Sequence, residues 1–469
     1  MYKRALLIAA LVAISTVGAG AANAADVSSW SELNTAENIK FAGDIQASGE
    51  PQTISINSQN NSQTIDGGQY SLTGASGYRI LIDNRSELII KNLGKLVDGT
   101  AENHTFSYTD AGGNTVYKTI SGSVNGFNKS PIQAYSAILP KLTVSDVVYT
   151  NNDGRLLDVW LDEHTDKATL KNIVLYGNTI NSGSLSGSLI GISVGTVEID
   201  NLIADSNVGR NGDNILTFAL GTNTKIKNSI FQNNKTDEFG VLQLSGGFVE
   251  IDNSQFINNS MVWDGAAISV TSTMGNVTNT IFKNNSVSYG NGGAIWYAQL
   301  ASSPYFYNTK FEANKATASG SAGGAMLIGG TGQSTGSVYI LESDFKENEA
   351  SYGGGIYSYN TTGFYVVDTN FTENKAQEGG AIYAADENLN IFANTKDVTF
   401  NGNIATNTTD TYNGGAAVYY EYSDNSLDVA MNVNAASKRK VIFNDSVAAY
   451  GDGATLNVNK SGLSYDDIE

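Results

Sequence analysis

Short runs of alternating apolar and polar residues recur along the chain, separated by polar turns. Ile39-Lys40-Phe41, Thr53-Ile54-Ser55-Ile56, Gln63-Thr64-Ile65-Asp66 and Leu88-Ile89-Ile90-Lys91 are early examples. A period of two over such runs predicts strands, and their close spacing predicts the coils of a parallel solenoid. The first coils must also cap the exposed end of its core. From Phe231 onward the alternation is tied to a motif, Phe-x-x-Asn. It appears as Phe231/Asn234, Phe256/Asn259, Phe282/Asn285, Phe311/Asn314, Phe345/Asn348, Phe371/Asn374 and Phe400/Asn403, with a decayed copy at Phe443/Ser446. A corner of small residues follows each copy, most clearly at Gly292-Gly293, Gly323-Gly324, Gly353-Gly354, Gly379-Gly380 and Gly414-Gly415. The step from Phe345 to Phe371 is 26 residues. A unit of this size cannot bury an apolar face alone and must stack on copies of itself. Unequal unit lengths predict loops of different size inserted at one corner of a constant cross-section.

Glycines at the corner permit positive φ and close approach of neighbouring backbones. Beyond it, alternation places Ile268, Ile295, Met326, Ile356, Ile382 and Val418 on the inward face. Such a column is a core stripe, each member contributing roughly 1.5 to 3 kcal/mol of transfer free energy. The motif Phe is expected to stack on the Phe of the next coil. The motif Asn suits the turn that follows, since it tolerates left-handed backbone, and one amide per coil is placed to form a ladder. The outward column of Trp296, Leu327, Tyr357, Tyr383 and Tyr419 is the candidate binding surface, an exposed aromatic strip.

Residues 1–24 have the form of a secretory signal peptide: Lys3 and Arg4, an apolar run from Ala5 to Val17, then Ala22-Asn23-Ala24. Residues 25–95 are expected to hold the N-terminal cap and first coils. Residues 96–140 break the rhythm, with His104, Asp110-Ala111-Gly112-Gly113-Asn114 and Pro131, and are expected to leave the solenoid wall. Residues 141–230 are blurred coils, with Asn151-Asn152, Asn178, Asn207 and Asn228 at turn-like positions and a residue other than Phe in the stack. Residues 231–469 carry the explicit repeat, incomplete at its C-terminal end. No later run is apolar and long enough for a membrane-spanning helix, so the mature chain is expected not to span a bilayer.

Composition narrows the chemistry. The 469 residues include 50 glycines, 24 tyrosines, 4 prolines and no cysteine, which excludes disulfides and thiolate metal sites and leaves stacking as the source of stability. A formal net charge of −19 disfavours nucleic acid and anionic lipid as partners. Asp153, Asp158, Asp162 and Glu163 have no recurring basic partners, and His104 and His164 are far apart in sequence, so no catalytic residue, metal or cofactor is assigned. Carboxylates distant in sequence can still meet in a fold. A β-helical polysaccharide lyase or glycoside hydrolase therefore stands as the alternative to a binding protein, and a purely structural surface-layer component as a third possibility.

Phe-x-x-Asn alternating with Gly-Gly-Ala-Ile resembles the repeat of the chlamydial polymorphic outer membrane proteins and related autotransporter passengers, from Phe231 to Ala454. The resemblance implies an all-β, right-handed parallel β-helix at the outer membrane surface or outside the cell. It also implies non-catalytic adhesion to a host-cell receptor or surface glycan. Members of that family end in a translocating β-barrel. Its alternating strands are not found before Glu469, so the expectation is either a truncated gene product with a missing β-barrel translocator or an unlinked export partner.

Overall fold

A computed structural model describes residues 24–458 except 36–37, 49–52, 57–61, 84–86, 111, 129, 137–140, 162–166, 182–186, 193–194, 219–222, 245–247, 272, 298–301, 330–335, 408–413, 422–430, 446 and 451–455. The leader-like residues 1–23, and Ser446 with the last small-residue corner, lie outside the described residues. Apart from one 3-10 turn, Trp30–Thr35, the described elements are strands.

The coil that starts at Gly363 shows how the sequence makes one winding. Gly363–Val367 runs along one face, Asp368 turns the chain, and Asn370–Thr372 continues it. Glu373 turns it again into the short strand Lys375–Ala376, Gly379 leads into Ile382–Ala385, and Asp386 closes the coil. These four turning residues are left-handed, with φ of 51°, 56°, 63° and 51° in that order. Repetition stacks the first two runs into a 27-stranded sheet, here the long sheet, and the Ile382 run into a 14-stranded sheet. Both sheets are parallel, so the described chain is a parallel β-solenoid, as the alternation implied.

At the glycine corner the coils nearly touch. A Cβ on Gly293 would lie 2.1 Å from Gly324 O, and one on Gly324 2.1 Å from Gly354 O. The last glycine pair is shifted by one residue: Gly415, with φ 57°, takes the place of Gly379, and Ala416 stands opposite Gly380. Beyond the corner, Ile268, Ile295, Met326, Ile356, Ile382 and Val418 are paired in register and fully buried.

Phe231, Phe256, Phe282, Phe311, Phe345, Phe371, Phe400 and Phe443 form one column, with ring centroids 4.6 to 5.0 Å apart. In the blurred coils Tyr149, Leu175 and Ala204 occupy the same column. Beside it, buried asparagines run from Asn152 through Asn178, Asn207, Asn234, Asn259, Asn285, Asn314, Asn348 and Asn374 to Asn403. Each sends its backbone N–H and one Nδ2 hydrogen to the Oδ1 of the next, as in Asn314 to Asn348 at 2.9 and 3.0 Å. The other Nδ2 hydrogen goes one coil back, as in Asn314 to Phe282 O at 2.9 Å. The left-handed turn expected of the motif Asn belongs instead to the residue before it: Asn233, Asn258, Asn284, Ala313, Glu347, Glu373 and Gly402. The ladder member must keep its amide in the core, so the neighbour makes the turn. Asn228 is likewise a left-handed corner residue, φ 51°, outside the ladder.

Trp30 and Leu33 of the 3-10 turn are buried at the N-terminal end, with Trp30 edge-on to Tyr78 at 5.1 Å. The excursion is a three-stranded antiparallel sheet of Lys95–Asp98, Phe106–Thr109 and Thr115–Gly122. It ends earlier than the expected residue 140, because Val124 already pairs with Leu72 and Tyr149, and Ile132 with Ile80. Instead of projecting, it lies back on the wall. Phe106, with Leu96, Tyr108 and Ile120, packs on the outward residues Val148, Val174, Ile203 and Ile230. Gln232 and Gln255 donate from Nε2 to Ser107 O and Thr109 O at 2.7 and 2.8 Å. Among the described residues no helix is long and apolar enough to cross a membrane.

Candidate functional site

Trp296, Leu327, Tyr357, Tyr383 and Tyr419 are in register on the outer face of the 14-stranded sheet. Their exposure differs from the expectation: Leu327, Tyr383 and Tyr419 are buried, and only Trp296 and Tyr357 are half-buried. The cause is the stacking itself. Tyr383 sits 4.8 Å from Tyr357 and 4.9 Å from Tyr419, so its two ring faces are covered, and Tyr352 closes on it edge-on at 5.8 Å. Tyr383 donates its phenol hydrogen to Glu421. Burial, and then Glu421, pushes Tyr357 up to about 12. Burial and the Glu421 bond raise Tyr383 as well, so both phenols stay protonated at neutral pH. They can donate hydrogen bonds but supply no nucleophile. At the next corner Glu387 is fully buried, accepting from Thr361 N and Oγ1 at 3.1 and 2.6 Å. Ser358 lies beside this carboxyl, which burial pushes up to about 7.

A second apolar surface, missed by the sequence analysis, lies on the outer face of the long sheet. One outward column there reads Glu198, Lys225, Glu250 and Asn276, then Tyr305, Tyr339 and Tyr365, then Asn390 and Asn432. The neighbouring column reads Lys171, Asp200, Lys227, Asp252 and Thr278, then Tyr307, Leu341, Val367 and Phe392. Over the earlier coils the charges alternate in sign, and Lys225 bridges Glu250 at 3.1 Å. From Tyr305 the face becomes apolar. Tyr305 and Tyr307 are 37% and 39% exposed, and Tyr339, Leu341, Tyr365, Val367 and Phe392 are half-buried. Tyr339 and Tyr365 stack face to face at 4.8 Å, so the column presents ring edges and hydroxyls rather than ring faces. The recoverable signal is that Tyr305, Tyr339 and Tyr365 each stand six residues before a motif Phe.

The profile of the Chlamydia polymorphic membrane protein repeat matches residues 279–297 and 368–385. Two segments of the chain are thus similar to that repeat. Neither curated proteins nor solved structures give a match. Each repeat begins at a left-handed corner, Asn279 or Asp368, and ends on the 14-stranded sheet at Tyr297 or Ala385. Between these points lie one stacked Phe, one ladder Asn and one glycine corner. The repeat thus encodes the scaffold, and Tyr305, Tyr339 and Tyr365 fall outside the matched segments. Polymorphic membrane protein repeats on a β-solenoid fit an autotransporter-like surface passenger.

Other candidate groups do not converge. His104 is on the excursion, with Nδ1 2.9 Å from Thr100 O and its ring against Tyr117 at 4.8 Å. Asp162, Glu163 and His164 lie outside the described residues, as does the side chain of Asp158. Among the described residues no group of three or more His, Asp or Glu is placed to hold a metal ion.

Proposed function

We propose that the chain is a non-catalytic, adhesin-like passenger, exported by its N-terminal leader and held at or released from the outer membrane surface, where it binds a protein receptor on another cell. The observation that carries this is the switch on the long sheet from alternating charge to Tyr305, Tyr307, Tyr339, Leu341, Tyr365, Val367 and Phe392. Elsewhere the chain covers an outward apolar stripe with its own excursion. At ~4.8 Å per coil the uncovered face is about 19 Å tall. It offers tyrosine edges beside aliphatic side chains, the mixture that packs well against a protein. Trp296 and Tyr357 add their half-exposed rims as a smaller second surface, while Leu327, Tyr383 and Tyr419 hold that strip together.

The test compares binding of the purified parent and a Tyr305→Ser, Tyr339→Ser, Tyr365→Ser variant to cultured host cells. Loss of about tenfold or more in affinity is expected, since three interface aromatics are removed. Equal binding by the variant refutes the assignment. Depolymerisation of a surface polysaccharide by the parent favours the enzymatic alternative.

A further inference from the structure

Two aromatic side chains outside both of these surfaces are the most exposed large apolar residues among those described. Trp263 is 51% exposed and Tyr289 72%. They project from adjacent coils at the corner between the strands Ser260–Met261 and Ile268–Val270, and between Ser286–Val287 and Ile295–Tyr297. Their ring centroids are 6.3 Å apart and their planes are inclined at 44°. This geometry differs from the stacked columns elsewhere in the rod, where rings cover each other, and leaves each ring a free face. Gly290 makes the approach possible: a Cβ there would lie 2.0 Å from Trp263 O. At the residues that follow the two aromatics, Asp264 Oδ1 accepts from Asn291 N at 2.6 Å and from Asn291 Nδ2 at 3.1 Å. Asn291 Oδ1 accepts from Ala322 N at 2.8 Å, which fixes the amide plane. Trp263 Nε1, Tyr289 Oη and Asp264 Oδ2 take no part in hydrogen bonds among the described residues, so this corner offers three polar groups to a ligand.

We infer that this corner is a carbohydrate-binding subsite for a neutral hexopyranose glycan. A pyranose has an apolar C–H face, which packs on an aromatic ring, and an equatorial rim of hydroxyls, which pair with carboxylate and amide groups. Two inclined rings, each close in the chain to a member of an oriented Asp-Asn corner, match that chemistry. The patch suits one or two sugar rings and is far smaller than the ~800 Å² per partner of a stable protein interface. Charge decides the glycan class. One coil earlier the bridge sets Phe239 opposite Asp264, and Asp237 and Glu238 precede it at the same corner, Asp237 accepting from Asn211 N and Gly212 N, so a sulfated or uronate-bearing chain is disfavoured by the local negative charge. The subsite is separate from the tyrosine face of the long sheet.

The experiment uses the full chain against immobilised neutral oligosaccharides (cellohexaose, maltohexaose, mannohexaose and chitohexaose), with heparin as the anionic control. At least one neutral oligosaccharide is expected to bind. Trp263→Ala and Tyr289→Ala each lower that affinity about tenfold, the equivalent of ~1.4 kcal/mol, without shifting the melting temperature of these exposed sites. Asp264→Asn lowers it less, and the Tyr305→Ser, Tyr339→Ser, Tyr365→Ser variant leaves it unchanged. Failure of all four oligosaccharides to bind, undiminished binding by the Trp263→Ala, Tyr289→Ala double variant, or preference for heparin overturns the assignment. Because cell binding through the long sheet is read with a different variant, either conclusion can fail alone.

Discussion

Replacing Asn314 by Ala tests the amide ladder where it is continuous on both sides. Asn314 Oδ1 accepts from Asn285 N at 3.0 Å and Asn285 Nδ2 at 2.9 Å, and its Nδ2 donates to Phe282 O and Asn348 Oδ1. Truncation therefore strands two donors of Asn285 and removes one hydrogen bond to Phe282 O, at a fully buried position. At about 1 to 3 kcal/mol for each orphaned buried group, partly relieved by relaxation, the cost is ~3 to 6 kcal/mol. Coils interact mainly with their neighbours, so the loss should be local and a single two-state unfolding energy is a poor readout. Hydrogen exchange followed by mass spectrometry is the suitable assay, with protection expected to fall most in the peptides spanning 282–285, 311–314 and 345–348. Asn314→Asp is the informative companion: the carboxylate keeps both acceptor roles but faces Phe282 O and Asn348 Oδ1 with no donor to give them. It should be destabilised at neutral pH and recover on acidification. Unchanged exchange in Asn314→Ala, or protection lost uniformly along the rod, would refute the ladder as a source of stability.

Glu387 sets a pH dependence. Its carboxyl, ordinarily near 4.5, lies at about 7 in the folded chain because burial penalises the charge. Between these values the folded chain holds a proton that the unfolded chain has released, so stability falls as pH rises from 4.5 to 7 and stays low above that. The span amounts to ~3 kcal/mol, so Glu387→Gln should match the parent at pH 4 and exceed it by about that much at pH 8 in thermal melts. Gly353→Ala, with φ of 61° and a new Cβ 2.2 Å from Ile356 O, should prevent local folding, whereas Gly320→Ala, with φ of 82° but open space, should cost only ~1 kcal/mol. Limited proteolysis of the two variants distinguishes these outcomes.

The core columns are legible in the sequence because a solenoid gives one position the same surroundings in every coil, so the same letter returns. Phe and Asn recur for that reason. The outer faces obey no such constraint. Alternation told which way Tyr383 points but not that Tyr357 and Tyr419 would cover both its faces, since depth depends on the neighbours one coil away. Tyr305, Tyr339 and Tyr365 leave a weak signal because their spacing to the motif Phe holds for only three coils. The early return of the chain at Val124 was hidden because a short wall strand and an excursion strand have the same alternation. Asn228 and Asn234 show a further limit: one residue type serves both an exposed left-handed corner and a buried amide row.

The asparagine row also has a direction. Every asparagine in it turns its Oδ1 toward the preceding winding and sends its backbone N–H and one Nδ2 hydrogen to the Oδ1 of the following one, so these amide-to-amide bonds all run in one direction along the axis. At the far end the row meets a different residue: Asp445 takes the hydrogens of Gly402 N, Asn403 N and Asn403 Nδ2 at 3.0, 2.9 and 2.7 Å. A negative charge thus terminates the donor end of the array, much as an aspartate does at the start of an α-helix. Windings upstream of that terminator are electrically interchangeable, each offering its successor what its predecessor offered it. Rod length can accordingly be varied by adding or removing whole turns between Asn152 and Asn403, provided Asp445 keeps its place at the end.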